Sequence, residues 1–324
     1  MNKRHFLNAA ACLALGLTQF SAHAQDFPPK KQVTMVVGFA AGGAADTAAR
    51  IIAKKLGENI GAAVVVDNKP GAGGNIAHQY AAQGASDGSV ILFGSVGPLT
   101  IAPHMMKVAY DPFKDLSPIT MGVNFPNVLV VNTSTGIKTF ADFIAYAKKN
   151  PGKLDFASTG PGSASHLAGE LLNDIAKIDT VHVPYKGGAP AMQDLIAGRV
   201  AAYYSTLSTS QPYIEAGKLI PLASTGLQRL PSLPKVPTIA ESGYPGFSAT
   251  NWYAFVASSK VPKPVLDRWN TELVKVLKSP DVVSQLNSHG LTPMPTTRDE
   301  LAKYIEKESQ TWGRVIRERK ITAE

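Results

Sequence analysis

Short apolar runs alternate with amphipathic segments along the first part of the chain. The apolar runs are rich in Val, Ile and Leu and cover 33–39, 63–67 and 89–94. Between the first two runs, apolar residues recur from Ala48 to Leu56 at the spacing of one helix face, and Asp46 is the expected N-cap. This order of strand and helix predicts a parallel sheet covered by helices on both faces.

The same alternation restarts in the second half of the chain. Capping-box patterns mark two of its helix starts, Thr139-x-x-Asp142 and Thr297-x-x-Glu300. The C-terminal helices have no sheet of their own, so we expect them to pack on the first lobe. The sequence therefore predicts an α/β fold of two lobes, each a mostly parallel sheet flanked by helices. Two crossovers join the lobes, near 124–132 and 245–256.

The N-terminus has the pattern of a secretory signal. Lys3 and Arg4 precede a mostly apolar stretch from Phe6 to Leu17, and Ala22-His23-Ala24 offers small residues at the two positions that a signal peptidase recognises. We expect residues 1–24 to be removed after Ala24 and the mature protein to reach the periplasm. The only cysteine, Cys12, lies inside this segment, and lipidation there is the alternative.

Charge narrows the class of partner. The 324 residues have a formal net charge of +8, spread along the chain without a basic run interleaved with aromatic residues. This distribution argues against a nucleic-acid surface. A mild positive charge favours the approach of anionic ligands. No stretch after residue 24 is apolar for long enough to span a membrane.

Glycine-rich loops stand at three predicted helix starts. They read FAAGGAAD at 39–46, PGAGGN at 70–75 and ASTGPGS at 157–163. Loops of this kind form tight turns, and they also expose helix N-termini that bind anions. None ends in Gly-Lys-Ser/Thr, and G-x-G-x-x-G is absent from the first turn, so a nucleotide is not indicated. One loop from each lobe facing a shared cleft predicts an anion site.

Catalytic patterns are weak in this chain. Neither G-x-S-x-G nor H-E-x-x-H occurs, and we expect no metal or cofactor. His166 follows the second-lobe loop, where it either contacts a ligand or is an ordinary helix residue, whereas His182 is expected to be structural. A secreted hydrolase that pairs His166 with Ser163 or Ser165 is the alternative from another functional class.

The motifs resemble those of a known family along essentially the whole mature chain. FAAGGAAD, PGAGGNIA, NPGKLDFASTGPGSASH, HVPYKGGAPAMQDLIAGRV and VPTIAESGYPG occur in the order found in Bug-type periplasmic receptors. These receptors are the solute-binding proteins of tripartite tricarboxylate transporters. The resemblance implies a two-lobed periplasmic binding protein that closes on a small carboxylate in the cleft between its lobes. It implies binding through backbone amides and ordered water, with no reaction catalysed.

The resemblance also implies boundaries, partners and contacts. Residues 25–126 and 248–324 would form lobe 1, and 127–247 would form lobe 2. The partners would be membrane permease subunits, with presentation to a sensor kinase as an alternative, and the receptor would be a monomer. The implied ligand-binding residues are Phe39, Ala40, Gly43, Ala45, Asp46, Ser95, Ser158, Thr159, Gly160, Ser163, His166, Tyr185 and Ser205.

Departures from the family pattern shape the expected ligand. The first loop of the family commonly reads P-F-A-P-G-G-G-[ST]-D, whereas here Ala45 replaces the hydroxyl residue and removes a hydrogen-bond donor. Ser205 stands where the family often has an acidic residue that faces the ligand. A ligand ammonium would lose its counter-charge there, and a second carboxylate would escape repulsion. These changes favour a dicarboxylate with an apolar or aromatic body, of the terephthalate kind. Citrate-like acids, aliphatic diacids and pyridine monocarboxylates remain alternatives.

Overall fold

The computed structural model describes residues 27–28 and 32–322. The predicted signal segment, with Cys12 and the cleavage site after Ala24, lies outside the described residues. The strands are β1 (Gln32–Val37), β2 (Ala63–Asn68), β3 (Val90–Ser95), β4 (Leu116–Asn132), β5 (Leu154–Ser158), β6 (Thr180–Pro184), β7 (Ala202–Thr206), β8 (Leu219–Ser224), β9 (Thr250–Ser258) and β10 (Thr292–Pro293). The helices are α1 (Ala44–Ile60), α2 (Asn75–Ala82), α3 (Ala102–Met105), α4 (Phe140–Lys149), α5 (Ala164–Ala176), α6 (Gly188–Ile196), α7 (Leu207–Glu215), α8 (Lys263–Leu277), α9 (Pro280–Ser288) and α10 (Arg298–Arg319).

One long strand, β4, belongs to both sheets. Its first part, from Leu116 to Pro126, pairs antiparallel with β9, and from Asn127 onward it pairs with β7 and β8. The strand order is β2-β1-β3-β9-β4 on one side and β4-β7-β5-β6 on the other, with β10 and β8 also paired to β4. The strands β2-β1-β3 are parallel, as are β7-β5-β6.

The predicted α/β architecture of two mostly parallel sheets is confirmed. In the first sheet only β9 and β10 oppose the other strands, and in the second only β4 does. Strand partners change between Pro126 and Asn127, inside the predicted crossover at 124–132. The lobe boundaries at 126/127 and 247/248 stay a prediction.

Helix starts follow the predicted capping chemistry in two cases and depart from it in one. Thr139 with Asp142, and Thr297 with Glu300, form complete capping boxes at α4 and α10. Asp46 was predicted as the N-cap of α1, and this prediction is wrong. The N-cap is Gly43, without a side-chain cap, so Asp46 lies inside the first turn.

The C-terminal helices pack mainly on the first sheet, as predicted. Helices α8 and α9 contact α1, and α10 contacts β4 and the turn at Gly97–Ile101. Leu266, Trp269 and Leu273 of α8 are buried in the apolar core that also holds α1. Fully burying one such side chain stabilises the fold by about 1.5–3 kcal/mol. The far end of α10 reaches the second lobe, where Arg319 pairs with Asp174 of α5. None of the helices in the described range is long and apolar enough to cross a membrane.

Candidate functional site

The glycine loops of the two sheets meet across a cleft. An added Cβ on Gly73 would lie 2.1 Å from the carbonyl oxygen of Pro161, and one on Gly97 would lie 2.6 Å from that of Gly162. The Ala40 N–H also donates across the cleft to the Lys186 carbonyl at 3.0 Å. Only glycine permits contacts this close, so the structure shows the cleft in a closed arrangement.

Asp46 fixes the first loop through hydrogen bonds and an ion pair. Its carboxylate accepts hydrogen bonds from the Gly42 N–H at 3.0 Å and from Asn68 Nδ2 at 3.0 Å, and it forms an ion pair with Arg50 at 2.9 Å. Burial alone would raise the pKa of Asp46, but the hydrogen bonds from Arg50, Gly42 and Asn68 outweigh burial and lower it. Because this carboxylate binds Gly42, Asn68 and Arg50, it does not cap the N–H groups of Gly43 and the first α1 residues.

The second loop is held by serine hydroxyls. Ser158 Oγ accepts from the Gly160 N–H at 3.0 Å and lies 2.6 Å from His182 Nε2. Ser165 Oγ accepts from the Thr159 N–H at 2.9 Å, and Ser163 caps α5 by accepting from the His166 N–H at 3.3 Å. These hydrogen bonds therefore hold the loop backbone in place without a ligand.

Three histidines each hold one part of the cleft, and we call His78, His166 and His182 the loop histidines; the first two are buried and His182 is half-buried. His78 Nδ1 lies 2.9 Å from the Gly74 carbonyl, and its Nε2 accepts from the Ser95 N–H at 3.3 Å. His166 Nδ1 accepts from the Gly162 N–H at 3.1 Å, and its ring stacks on that of His182 with centroids 3.8 Å apart.

The loop histidines are neutral near pH 7. Burial lowers the pKa of His78 to about 4, that of His166 to about 3 and that of His182 to about 4. Glu170 Oε1 lies 3.7 Å from His166 Nε2, and burial raises the pKa of this carboxyl to about 7. A neutral ring nitrogen accepts an N–H hydrogen bond, whereas a protonated one cannot, so the loop geometry depends on neutral rings.

A narrow cavity lies between the loops, the ends of β3, β7 and β9, and the middle of β4. The cavity is small, with a volume of about 20 Å³. All of its lining residues are uncharged. Six of the predicted ligand-binding residues line it, namely Phe39, Gly43, Ala45, Ser95, Thr159 and Ser163.

The other predicted contacts lie beside the cavity rather than on its wall. Two of them, Ser158 and His166, hold the second loop, and Ala40 and Asp46 hold the first, as described above. Gly160 adopts φ +121° and backs onto Gly73, where an added Cβ would lie 2.7 Å from the Gly73 nitrogen. Tyr185 donates to Asp194 at 2.9 Å. Ser205 is fully buried and donates to the Thr206 carbonyl at 2.9 Å. Direct contact of these residues with a ligand stays a prediction.

Several lining residues were not predicted from the sequence. They are chiefly Asn127, Tyr203, Tyr204, Thr206, Asn251 and Tyr253. Buried side-chain atoms without a hydrogen-bond partner in the described structure include Ser95 Oγ, both amide atoms of Asn127 and Asn251 Oδ1. A sequence signal existed for Asn251, since it is the single amide of the apolar strand β9 and lies near its start.

The cleft serines do not form a hydrolytic dyad on the cavity wall. The hydroxyls of Ser163 and Ser165 lie 3.2 Å apart, and the ring of His166 instead accepts from Gly162. The Ser158–His182 pair has a fully buried serine. Among residues 27–28 and 32–322, no group of three or more His, Cys, Asp or Glu could hold a metal ion.

The chain is similar to known receptors in sequence. The family profile described as tripartite tricarboxylate transporter family receptor matches residues 48–321. The protein BugT of Bordetella pertussis is 35% identical over 90% of this chain and 90% of its own length.

The fold is similar to solved structures of periplasmic proteins. Rpa4515 of R. palustris, solved with adipate, is 34% identical with a TM-score of 0.87, covering 92% of this chain and 99% of that one. MatC from Rhodopseudomonas palustris, solved with bound malate, is 31% identical with a TM-score of 0.84, covering 88% of this chain and 98% of that one.

Proposed function

This chain belongs to the tripartite tricarboxylate transporter receptor family, and we propose that it captures a small carboxylate and delivers it to the membrane permease of such a transporter. It is a periplasmic solute-binding receptor of the Bug type. Cleavage after Ala24, a monomeric state and presentation to a sensor kinase stay predictions. We propose that the receptor catalyses no reaction.

The observation that carries this proposal is the uncapped start of α1 at an uncharged cavity. The N-cap Gly43 has no side-chain cap, and Gly43, Ala44 and Ala45 line the cavity. The first N–H groups of a helix lack partners inside the helix, and they carry a partial positive charge. A carboxylate satisfies these groups without an arginine or lysine, directly or through ordered water.

We propose further that the ligand is a dicarboxylate with an apolar or aromatic body. The rings of Phe39, Tyr203 and Tyr253 line the cavity, and none of its lining side chains is acidic, so no side chain there repels a second carboxylate. The adipate and malate found with two solved relatives are both dicarboxylates, which supports the class without naming the acid. An amino acid is disfavoured because its ammonium would find no carboxylate among the lining residues.

A charge substitution at the cavity tests the proposal. Dissociation constants of aliphatic and aromatic diacids should first be measured by calorimetry, after a thermal-shift screen. Ala45→Glu would place a carboxylate beside the bound one, and like charges about 4 Å apart repel by about 4 kcal/mol at an effective dielectric near 20. We expect at least a tenfold loss of affinity even after screening.

The matched control is Ala63→Glu, which changes the net charge equally at an exposed position of β2. It should leave the dissociation constant within about twofold. Equal loss in both variants, or no loss in Ala45→Glu with the fold intact, would contradict a carboxylate at the start of α1.

A further inference from the structure

Three polar side chains of three adjacent strands line one wall of the cavity. Ser95 ends β3 and is paired with Tyr253 of β9, and Asn251 lies two residues before Tyr253 on the same face. Asn251 is paired with Phe125 of β4, and Asn127 lies two residues beyond Phe125. This register brings Ser95, Asn251 and Asn127 to one wall of the cavity.

The backbone of Asn127 is fully engaged, whereas its side chain is not. Its N–H donates to Thr225 Oγ1 at 2.9 Å, and its carbonyl accepts from the Thr225 N–H at 2.9 Å. Only 1% of the residue is exposed, yet both atoms of its side-chain amide lack a partner in the described structure. Buried polar groups are nearly always hydrogen-bonded, so a ligand group is expected to meet this amide.

The chemistry of that ligand group follows from what the amide offers. Because both Asn127 atoms are unpartnered, the amide presents one donor side and one acceptor side whichever way it is assigned. An ionised carboxylate only accepts, so it would leave both amide oxygens of this wall, Asn127 Oδ1 and Asn251 Oδ1, without a donor. A hydroxyl both donates and accepts. Asn251 Oδ1, on a residue that is 9% exposed, is a second acceptor on the same wall.

We propose that the ligand is a hydroxy-carboxylate whose hydroxyl accepts from the Asn127 side-chain amide nitrogen and donates to Asn251 Oδ1. This inference rests on the proposed function, since it assumes that a carboxylate occupies the start of α1. Asn127 is then a residue that determines specificity, and it selects acids that carry a neutral donor over the corresponding plain diacids. Sites built to hydrogen-bond a hydroxyl reject the analogue that lacks it, because their buried polar groups are left unpaired.

The test compares pairs of acids that differ by one hydroxyl. Calorimetry should give dissociation constants for malate against succinate and for 2-hydroxyterephthalate against terephthalate. In the unmodified protein, we expect the hydroxylated acid of whichever pair binds to have a dissociation constant at least about tenfold lower than that of its plain partner. This difference corresponds to about 1.4 kcal/mol. Equal binding within each pair would overturn the inference, since it would mean that water satisfies the amide equally well.

Two variants make the test specific to this amide. Asn127→Leu removes both polar atoms at similar volume, so it should weaken the hydroxylated acid and bring the two members of the pair to within about threefold. Asn59→Leu is the matched control, because Asn59 Nδ2 is also buried and unpartnered but lies outside the cavity lining. The control should keep the full discrimination.

The failures of the two proposals are distinguishable. A hydroxyl preference that survives Asn127→Leu in a folded protein would overturn the role of Asn127. Tight binding of both plain and hydroxylated diacids would overturn the hydroxyl inference and leave the carboxylate receptor standing. Absence of binding by every acid in a correctly folded protein would overturn the receptor proposal and this inference together.

Discussion

Contact between the glycine loops leads to the sharpest mutational prediction. Gly73 has φ +63°, and a Cβ added there would lie 2.1 Å from the Pro161 carbonyl oxygen across the cleft. Side chains essentially never approach an atom closer than 3.0 Å in this way, so Gly73→Ala forces the two loops apart by about 1 Å.

The expected loss follows from the hydrogen bonds that close the cleft. A separation of this size would break the bond from Ala40 to Lys186, a net cost of about 0.5–1.5 kcal/mol. It would also loosen a hydrogen bond to the anionic ligand, a cost of about 1.5–3 kcal/mol. The combined loss of about 2–4.5 kcal/mol corresponds to a dissociation constant roughly 30-fold to 2000-fold higher.

Gly61→Ala is the control for backbone strain. Gly61 has a nearly identical φ of +66°, but nothing lies within 4 Å of a Cβ added there. Both variants impose about 1–2 kcal/mol of left-handed strain on the folded protein. Gly73→Ala also loses the hydrogen bond across the cleft, so its melting temperature should fall further than that of Gly61→Ala. Calorimetry with the tightest-binding acid should show normal affinity for Gly61→Ala only. Equal affinities of the two variants would refute the idea that binding needs the loops to touch.

The remaining predictions concern pH and the first loop. The loop histidines have folded-state pKa values of about 3–4 against 6.5 for the free side chain, so their stabilising contribution is present above pH 6.5 and is lost as pH falls towards 4. Each fully titrating buried histidine adds a slope of about 1.4 kcal/mol per pH unit. Glu170 acts in the opposite sense between pH 4.5 and 7, because its folded-state pKa is raised, but it is one group against three. Urea unfolding should therefore show lower stability at pH 5 than at pH 7, and a flat profile would contradict neutral loop histidines. Asp46→Asn should weaken acid binding about fivefold or more, because it removes the charge that holds the Gly42 N–H and Arg50. Hydrogen bonds to charged groups contribute about 1.5–3 kcal/mol. Asp142→Asn, at an exposed helix start, is its control and should leave calorimetric affinity unchanged.

The sequence was sufficient for most of the regular elements because their signals are local. Periodicity and capping residues predicted α4 and α10, whose capping boxes are complete. The first part of β4 was missed because it contains Pro118, Gly122 and Pro126, which are unusual inside strands. Its register with β9 also shifts twice there. Helix α7 was missed because it contains Pro212 and few apolar residues.

The site was harder to predict because burial and partners decide it. Asp46 is of a residue type that often caps helices, but α1 begins after Gly43, and the Asp46 carboxylate binds Arg50 on the next turn and Asn68 of β2 instead. His166 follows a binding loop in sequence, yet its ring points into the second lobe and stacks on His182. Asn127 lies in an apolar strand, and only the pairing of β4 with β7 and β9 shows that it reaches the cavity.

A crystal structure of the protein with its tightest-binding diacid is the most direct test of the central claim. We predict a carboxylate oxygen within about 3.2 Å of the Ala44 or Ala45 backbone nitrogen, or joined to it by one water, in the cavity between the glycine loops. No arginine or lysine side chain should contact that carboxylate. A carboxylate paired with a basic side chain, or an acid bound outside this cavity, would contradict the claim.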